Sequence, residues 1–337
     1  MSVSGHRRGS GIWVFWADVV YNLFGWFRAV GDEFRTRRGR FLVTAIPMLW
    51  LALFFCVPFL IVLKISFAQS VFGQVPPYTP LLETAENGAT TLRLHAANYA
   101  ALLADPLYVA AYLKSLLFAG VSTLCCLLLG YPIAYGIARA PRLWRLLLLV
   151  LVILPFWTSS LLRTYALIGL LRANGWLSQT LAGLGVLEPG QAVLHSNLAV
   201  YIGITYNYLP FMILPLAATL IRLDFTLLEA AADLGAKPWQ AFRRVTLPLS
   251  FPGILAGSLL VFIPAVGEFV IPDVLGGPDA LTIGRVLWTE FFTNRDWPLS
   301  AAIAVAMLLL IVLPTLLFEY IENRADKGRR VAREAQS

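Results

Sequence analysis

Long windows without a charged side chain set the rhythm of this chain. Twenty-three such residues separate Arg40 from Lys64, twenty-four separate Lys114 from Arg139, and seventeen separate Arg145 from Arg163. A fourth window lies in the uncharged stretch between Glu188 and Arg222. A fifth has twenty-three residues between Arg244 and Glu268, and a sixth has twenty-two between Asp296 and Glu319. A helix needs about 20 apolar residues to cross the hydrocarbon layer at about 1.5 Å per residue. The pattern predicts six transmembrane helices, the third so short that it draws in one of its flanking arginines, Arg145 or Arg163, which snorkels. Each window contains proline. Membrane helices tolerate proline where neighbours or water satisfy the freed carbonyl.

Outside the windows the pattern changes. From Ile12 to Ala29, Asp18, Asn22 and Gly25 recur three or four apart among aromatic and aliphatic residues, which predicts a helix lying in the membrane interface. A seventh crossing there would strand Asp18 in hydrocarbon at a cost of roughly 3 kcal/mol. Between the first two windows, from about Ser66 to Ala110, three prolines are followed by LRLHAANYAALLADPLY. That run has apolar residues at helical spacing and predicts an ordered cap with a short helix.

Composition agrees with a membrane protein. Hydrophobic residues make up 58% of the 337 and charged residues 13%, where soluble domains carry about 25% charge. Mean hydropathy is +0.73. The net charge of +7 is gathered in short segments between apolar runs, as topology signals and lipid contacts rather than a nucleic-acid surface. With both termini in the cytoplasm, nineteen lysines and arginines fall inside and seven outside, the bias that sets orientation. Cys56, Cys125 and Cys126 lie inside apolar runs without metal-ligand spacing. No early signal peptide is evident, so the first window is expected to stay in the membrane.

The fold class expected is therefore an all-α membrane protein. Residues 1–40 form a cytoplasmic tail with the interfacial helix, 41–322 a six-span transmembrane domain, and 323–337 a basic cytoplasmic tail.

The connection between the fourth and fifth windows is unlike a plain linker. It reads EAAADLGAKPWQAFRRVTLPLSFPG from Glu229 to Gly253. The alanine-rich start favours helix, Gly235 can turn it by accepting positive φ, and Pro238 is suited to the first turn of a second helix. Trp239 and Phe242 lie three apart and make an apolar stripe. A short amphipathic helix with an aromatic face, held outside the membrane, fits a groove on another protein.

This segment resembles the signature of permease subunits of binding-protein-dependent ABC importers: EAA, three residues, G, nine residues, I, one residue, LP. The chain supplies Glu229, Ala230 and Ala231, then Gly235, then Val245 in place of isoleucine, then Leu247 and Pro248. The coupling loop covers 228–250. The runs LGYPIAYGIARAP (Leu129–Pro141), LPFWTSSLLRTYALIGLL (Leu154–Leu171) and GEFVIPDVLGG (Gly267–Gly277) are similar to the polyamine (putrescine/spermidine) branch. The resemblance implies half of a translocation pathway in a bacterial inner membrane, with a second homologous permease subunit, two copies of an ATPase and an external polyamine-binding protein. ATP and magnesium would sit on the ATPase, and no cofactor on this chain. Relatives that carry ferric iron, thiamine or sulfate share the loop. A self-contained channel would explain the spans but not the signature.

Glu268 and Asp273, at the outer end of the fifth window, are candidate contacts for a polycation; an ion pair with Arg163 is the structural alternative. Trp157, Tyr165, Tyr201, Tyr206 and Tyr208 offer aromatic faces to an ammonium group, or anchor helices at the interface. The chain lacks a GxxxxGK[ST] loop and is expected to be non-catalytic.

Overall fold

The computed structural model describes residues 38–312, apart from 72, 74, 81, 85–89, 93 and 189. The expected interfacial helix and the basic C-terminal tail lie outside the described residues. The chain divides into two compact units, Met1–Leu63 and Lys64–Ser337.

The first apolar window folds as helix α1 (Arg38–Leu51), a π-helical turn at Ala52–Cys56, and α2 (Val57–Ser66). Two residues after the turn stands Pro58. Proline lacks an N–H and its ring crowds the carbonyl four residues back, here that of Phe54 inside the turn. The wider turn absorbs that conflict and the helix continues. The same device recurs near the other end of the chain's core. There α10 (Pro238–Ala241) passes through a π turn at Phe242–Thr246 into α11 (Leu247–Val266), with Pro248 two residues beyond the turn. Pro238–Val266 is therefore one helical run of 29 residues.

In the second unit a two-stranded antiparallel hairpin, β1 (Leu82–Thr84) and β2 (Thr90–Leu92), precedes α3 (Ala97–Ala104). The short helix was legible in the spacing; the hairpin was not, and it is the one two-stranded sheet among the described residues. Asp105 accepts the Leu107 N–H at 2.8 Å and starts α4 (Pro106–Arg139), a helix of 34 residues. α4 packs with α8 (Asn197–Ile221) and α11 as the three-helix centre of the unit. Cys126, Ala134, Ile137, Met212, Leu216 and Val261 are buried together there. Small residues permit the approach: a Cβ on Gly257 would stand 2.8 Å from Met212 Sδ and 3.1 Å from its carbonyl oxygen.

The third window departs from expectation. α5 (Arg142–Ile153) leads into a 3-10 turn at Leu154–Trp157, and α6 (Ser160–Leu171) then leaves at 93°. Pro155 removes a donor at the corner. The Thr158 N–H and hydroxyl both turn back onto the Pro155 carbonyl, at 3.2 and 2.8 Å. From Arg142 to Trp157 the chain climbs about 24 Å at 1.5 Å per residue, short of the roughly 30 Å core. Arg163 consequently does not snorkel from the end of a straight span. It lies beyond the corner, in the first turn of α6, and is buried.

The chain continues through α7 (Trp176–Gly183) into α8. α9 (Thr226–Asp233) precedes α10, and α11 is followed by α12 (Val270–Leu275) and α13 (Ile283–Trp288), with a π turn at Thr289–Thr293. α14 (Trp297–Val312) ends the described residues. Among those residues four helical runs are long and apolar enough to cross a membrane, and the bent α5–α6 pair brings the number to five. The sixth expected crossing is seen only as α14.

Candidate functional site

The coupling segment stands at one end of the three-helix centre. Asp224 starts α9: its carboxylate accepts the Thr226 N–H at 3.0 Å, which holds the Asp224 carboxyl below its ordinary range. Glu229 lies exposed within α9, beside Ala230 and the half-buried Ala231. The helix ends as its sequence demands. Gly235 adopts φ +80°; its N–H bonds to the Ala232 carbonyl at 2.8 Å and the Ala236 N–H to that of Ala231 at 3.0 Å. This pair of bonds is the Schellman arrangement, which needs a left-handed residue at Gly235. Pro238 opens α10, and Gln240 Oε1 accepts the Lys237 N–H at 3.0 Å.

The aromatic stripe divides in two. Trp239 is 68% exposed and stacks on Phe242 with ring centroids 5.4 Å apart. Phe242 turns inward, edge-on to Tyr131 at 5.6 Å and Tyr135 at 6.5 Å, both on α4. The Arg139 guanidinium lies 5.2 Å over Tyr135 and 5.6 Å over Phe225. Phe242 is therefore a bolt between the segment and the bundle, while Trp239 is the ring offered outward. Leu247 and Pro248 remain partly exposed at the base of α11.

A second constellation lies past the opposite end of α11. The half-buried Glu268 accepts the Tyr208 hydroxyl at 2.6 Å through Oε2. Its Oε1 accepts the Val270 and Ile271 N–H groups at 3.0 and 3.3 Å. The carboxylate thus caps α12 and holds Tyr208 of α8. No ion pair joins it to Arg163. Tyr208 lies 5.9 Å from Phe211, Phe211 4.9 Å from Phe156, and the Arg163 guanidinium 5.4 Å from Phe156. Beside this row, Asn207 receives Ser160 at 3.4 Å and donates to Thr164 at 3.5 Å. The chain break after α5 is what brings Ser160, Arg163 and Thr164 against α8.

The remaining candidates scatter. Asp273 pairs with Arg285 at 3.0 Å, so it is committed within the chain. Tyr201 packs on Phe118 at 5.0 Å in the core. Trp157, Tyr165 and Tyr206 are exposed, at 83, 56 and 45%. Only Tyr208 of the five aromatic candidates meets Glu268. A ladder of rings that the spacing did not single out begins next to that carboxylate: Phe269, Trp288, Phe292, Phe291, Trp297 and Tyr78, with successive centroids 4.7, 4.1, 4.8, 5.5 and 6.3 Å apart. The Phe291–Phe292 pair between two tryptophans was the available signal.

The described residues thus form a polytopic helical bundle with an outboard helix–turn–helix at one end and a buried polar row near the other, the form of a membrane transport component. Residues 127–327 match the family described as binding-protein-dependent transport system inner membrane component, and the chain belongs to it. It is 39% identical to the spermidine/putrescine transport system permease protein PotB of Haemophilus influenzae, over 87% of this chain and 96% of that one. It is 45% identical to the protein of the same name in Escherichia coli K12, over 66% and 80%. The molybdenum transport system permease protein ModB of Mycobacterium bovis is 33% identical over 66% and 83%. Among solved structures, a bacterial ABC transporter involved in alginate import superposes with a TM-score of 0.58 at 16% identity, over 87% of this chain and 99% of that one, a likeness of fold. The protein is a multi-pass inner-membrane transport component.

Proposed function

We propose that this chain is the permease subunit of an ATP-driven spermidine and putrescine importer. The observation that carries the reading is the segment from α9 to α10, held outside the bundle with a positive-φ glycine and an outward Trp239. It fits a groove on an ATPase, two copies of which supply the energy with ATP and magnesium bound to them. The chain itself hydrolyses nothing. A second, homologous permease subunit supplies the other half of the pathway, and an external binding protein delivers the amine. Both termini lie in the cytoplasm, consistent with the lysine and arginine count.

The amine is supported by the names of the relatives and by the chemistry beside Glu268. A carboxylate at the start of a ladder of rings offers an ammonium chain both charge and π-faces. The test is uptake of radiolabelled spermidine and putrescine by cells lacking the gene, with and without the gene restored. Uptake that does not depend on the gene rules the reading out. One observation favours a second reading: Arg163 is a buried cation without an anion among the described residues, which suits an oxyanion, and one relative is named for molybdenum. Under that reading molybdate, not spermidine, is taken up in the same cells. Orientation is tested by cysteines placed at Gly88, Gly136 and Ala335. An impermeant thiol reagent should label only the first in cells without an outer barrier.

A further inference from the structure

Arg163 has a place in the polar row that neither its packing nor helix chemistry explains. It is 8% exposed, and its Nε and Nη1 are buried with no hydrogen-bond acceptor among the described residues. A buried guanidinium normally pairs with a carboxylate or carbonyl oxygens. Here its neighbour is the face of Phe156, which offers a cation part of what an anion would. The position is also wrong for a cation: the first turn of α6 is the positive end of that helix. Other carboxylates among the described residues have partners of their own. Asp273 holds Arg285, and Glu290 receives Asn294 at 2.8 Å and Tyr108 at 3.3 Å. Glu268 is held by hydrogen bonds and, among the described residues, pairs with no cation.

Two opposite charges thus sit in one bundle with Tyr208 and the Phe211–Phe156 pair between them. We infer that Arg163 is an internal counter-cation, which takes Glu268 when the pathway is empty and gives it up to a substrate ammonium group. This rests on the amine reading above. The described conformation is the uncommitted one, with Tyr208 holding the carboxylate open. The corner at Thr158–Ser159 separates α6 from α5, so α6 can shift Arg163 toward α8 without moving the rest of the third crossing. Arg163 is then a positioning and specificity residue. It speeds release by competing for the carboxylate, and it favours substrates with enough charge to displace a guanidinium.

The test uses the purified, reconstituted importer with Arg163→Gln, Arg163→Lys, Glu268→Gln and the Arg163→Gln/Glu268→Gln pair. Equilibrium retention of radiolabelled spermidine by the complex and its maximal uptake rate are measured side by side. Arg163→Gln should retain spermidine at least fivefold more tightly and yet transport it at least fivefold more slowly; Arg163→Lys should stay near the parent in both. The pair should behave as Glu268→Gln alone. Unchanged or weaker retention in Arg163→Gln overturns the inference, as does a pair whose defects multiply or that fails to assemble. A parent complex that retains no amine sinks the amine reading instead. Hydrolysis of ATP by the substrate-free complex needs no amine. It should slow in Arg163→Gln and recover in the pair, and equal rates in all four complexes overturn the exchange whatever the substrate.

Discussion

The two ends of α11 solve different problems with different kinds of sequence. At its start, the coupling segment is local: Asp224, Gly235, Pro238 and Gln240 each act on backbone within a few residues of themselves. Past its far end, the polar row is assembled from α6, α8 and the residues after α11, so Glu268 meets a tyrosine 60 residues away. The first end leaves the Trp239 ring facing outward. The second hides its charges and balances them imperfectly. The shape of the first end is fixed locally and is rigid, whereas the second depends on long-range placement and is correspondingly sensitive to small shifts of helices.

Gly235→Val should have the largest effect, because it strikes the rigid end. A β-branched residue at φ +80° is strained by about 1–3 kcal/mol. No neighbour lies within 4 Å of its Cβ position, so the defect is one of backbone angle and not of crowding. Uptake should fall at least tenfold while the permease remains in the membrane, and ATP hydrolysis should lose its response to loaded binding protein. Normal stimulation in this variant would show that the turn is not part of transmission.

Glu268→Gln should come next and sharpens the contrast. Glutamine keeps an acceptor for the Val270 and Ile271 N–H groups but not the charge. Transport should drop roughly tenfold at full assembly, while Glu268→Ala should also lose the α12 cap, worth about 1 kcal/mol. If glutamine transports at the parental rate and only alanine fails, the carboxylate is structural.

The aromatic pair at the coupling end should separate under single substitution. Trp239→Ala should weaken retention of the ATPase in a pull-down about tenfold, a loss of about 1.4 kcal/mol. Phe242→Ala should leave the docking ring in place but loosen it from Tyr131 and Tyr135. Binding should persist and the response to loaded binding protein should decline several-fold. Equal pull-down losses for both would mean that the two rings dock together. The smallest effect should be Asp273→Asn, since a partly exposed ion pair contributes about 0–1 kcal/mol. Uptake should stay within about twofold, and a larger loss would restore Asp273 to the pathway.

Much of this was legible in the chain itself. Charge-free windows located the crossings that appear as long helices, because hydrocarbon forbids unpaired charge wherever a segment lies. The EAA spacing located the coupling turn, because a helix stop and a helix start are written in adjacent residues. The hairpin before α3 carried no comparable signal.

What only the tertiary structure decided is what distant residues do to one another. Phe242 reads like Trp239 in the sequence, yet α4 takes one ring and leaves the other outside. Arg163 reads as the edge of a span, yet the corner at Pro155–Ser159 folds it against α8, and Asp273 reads as a contact for a polycation, yet Arg285 holds it. The reason is physical: backbone angles are set by neighbouring residues and can be read from them, whereas burial and charge pairing are set by which helices meet, and several packings satisfy the same apolar pattern.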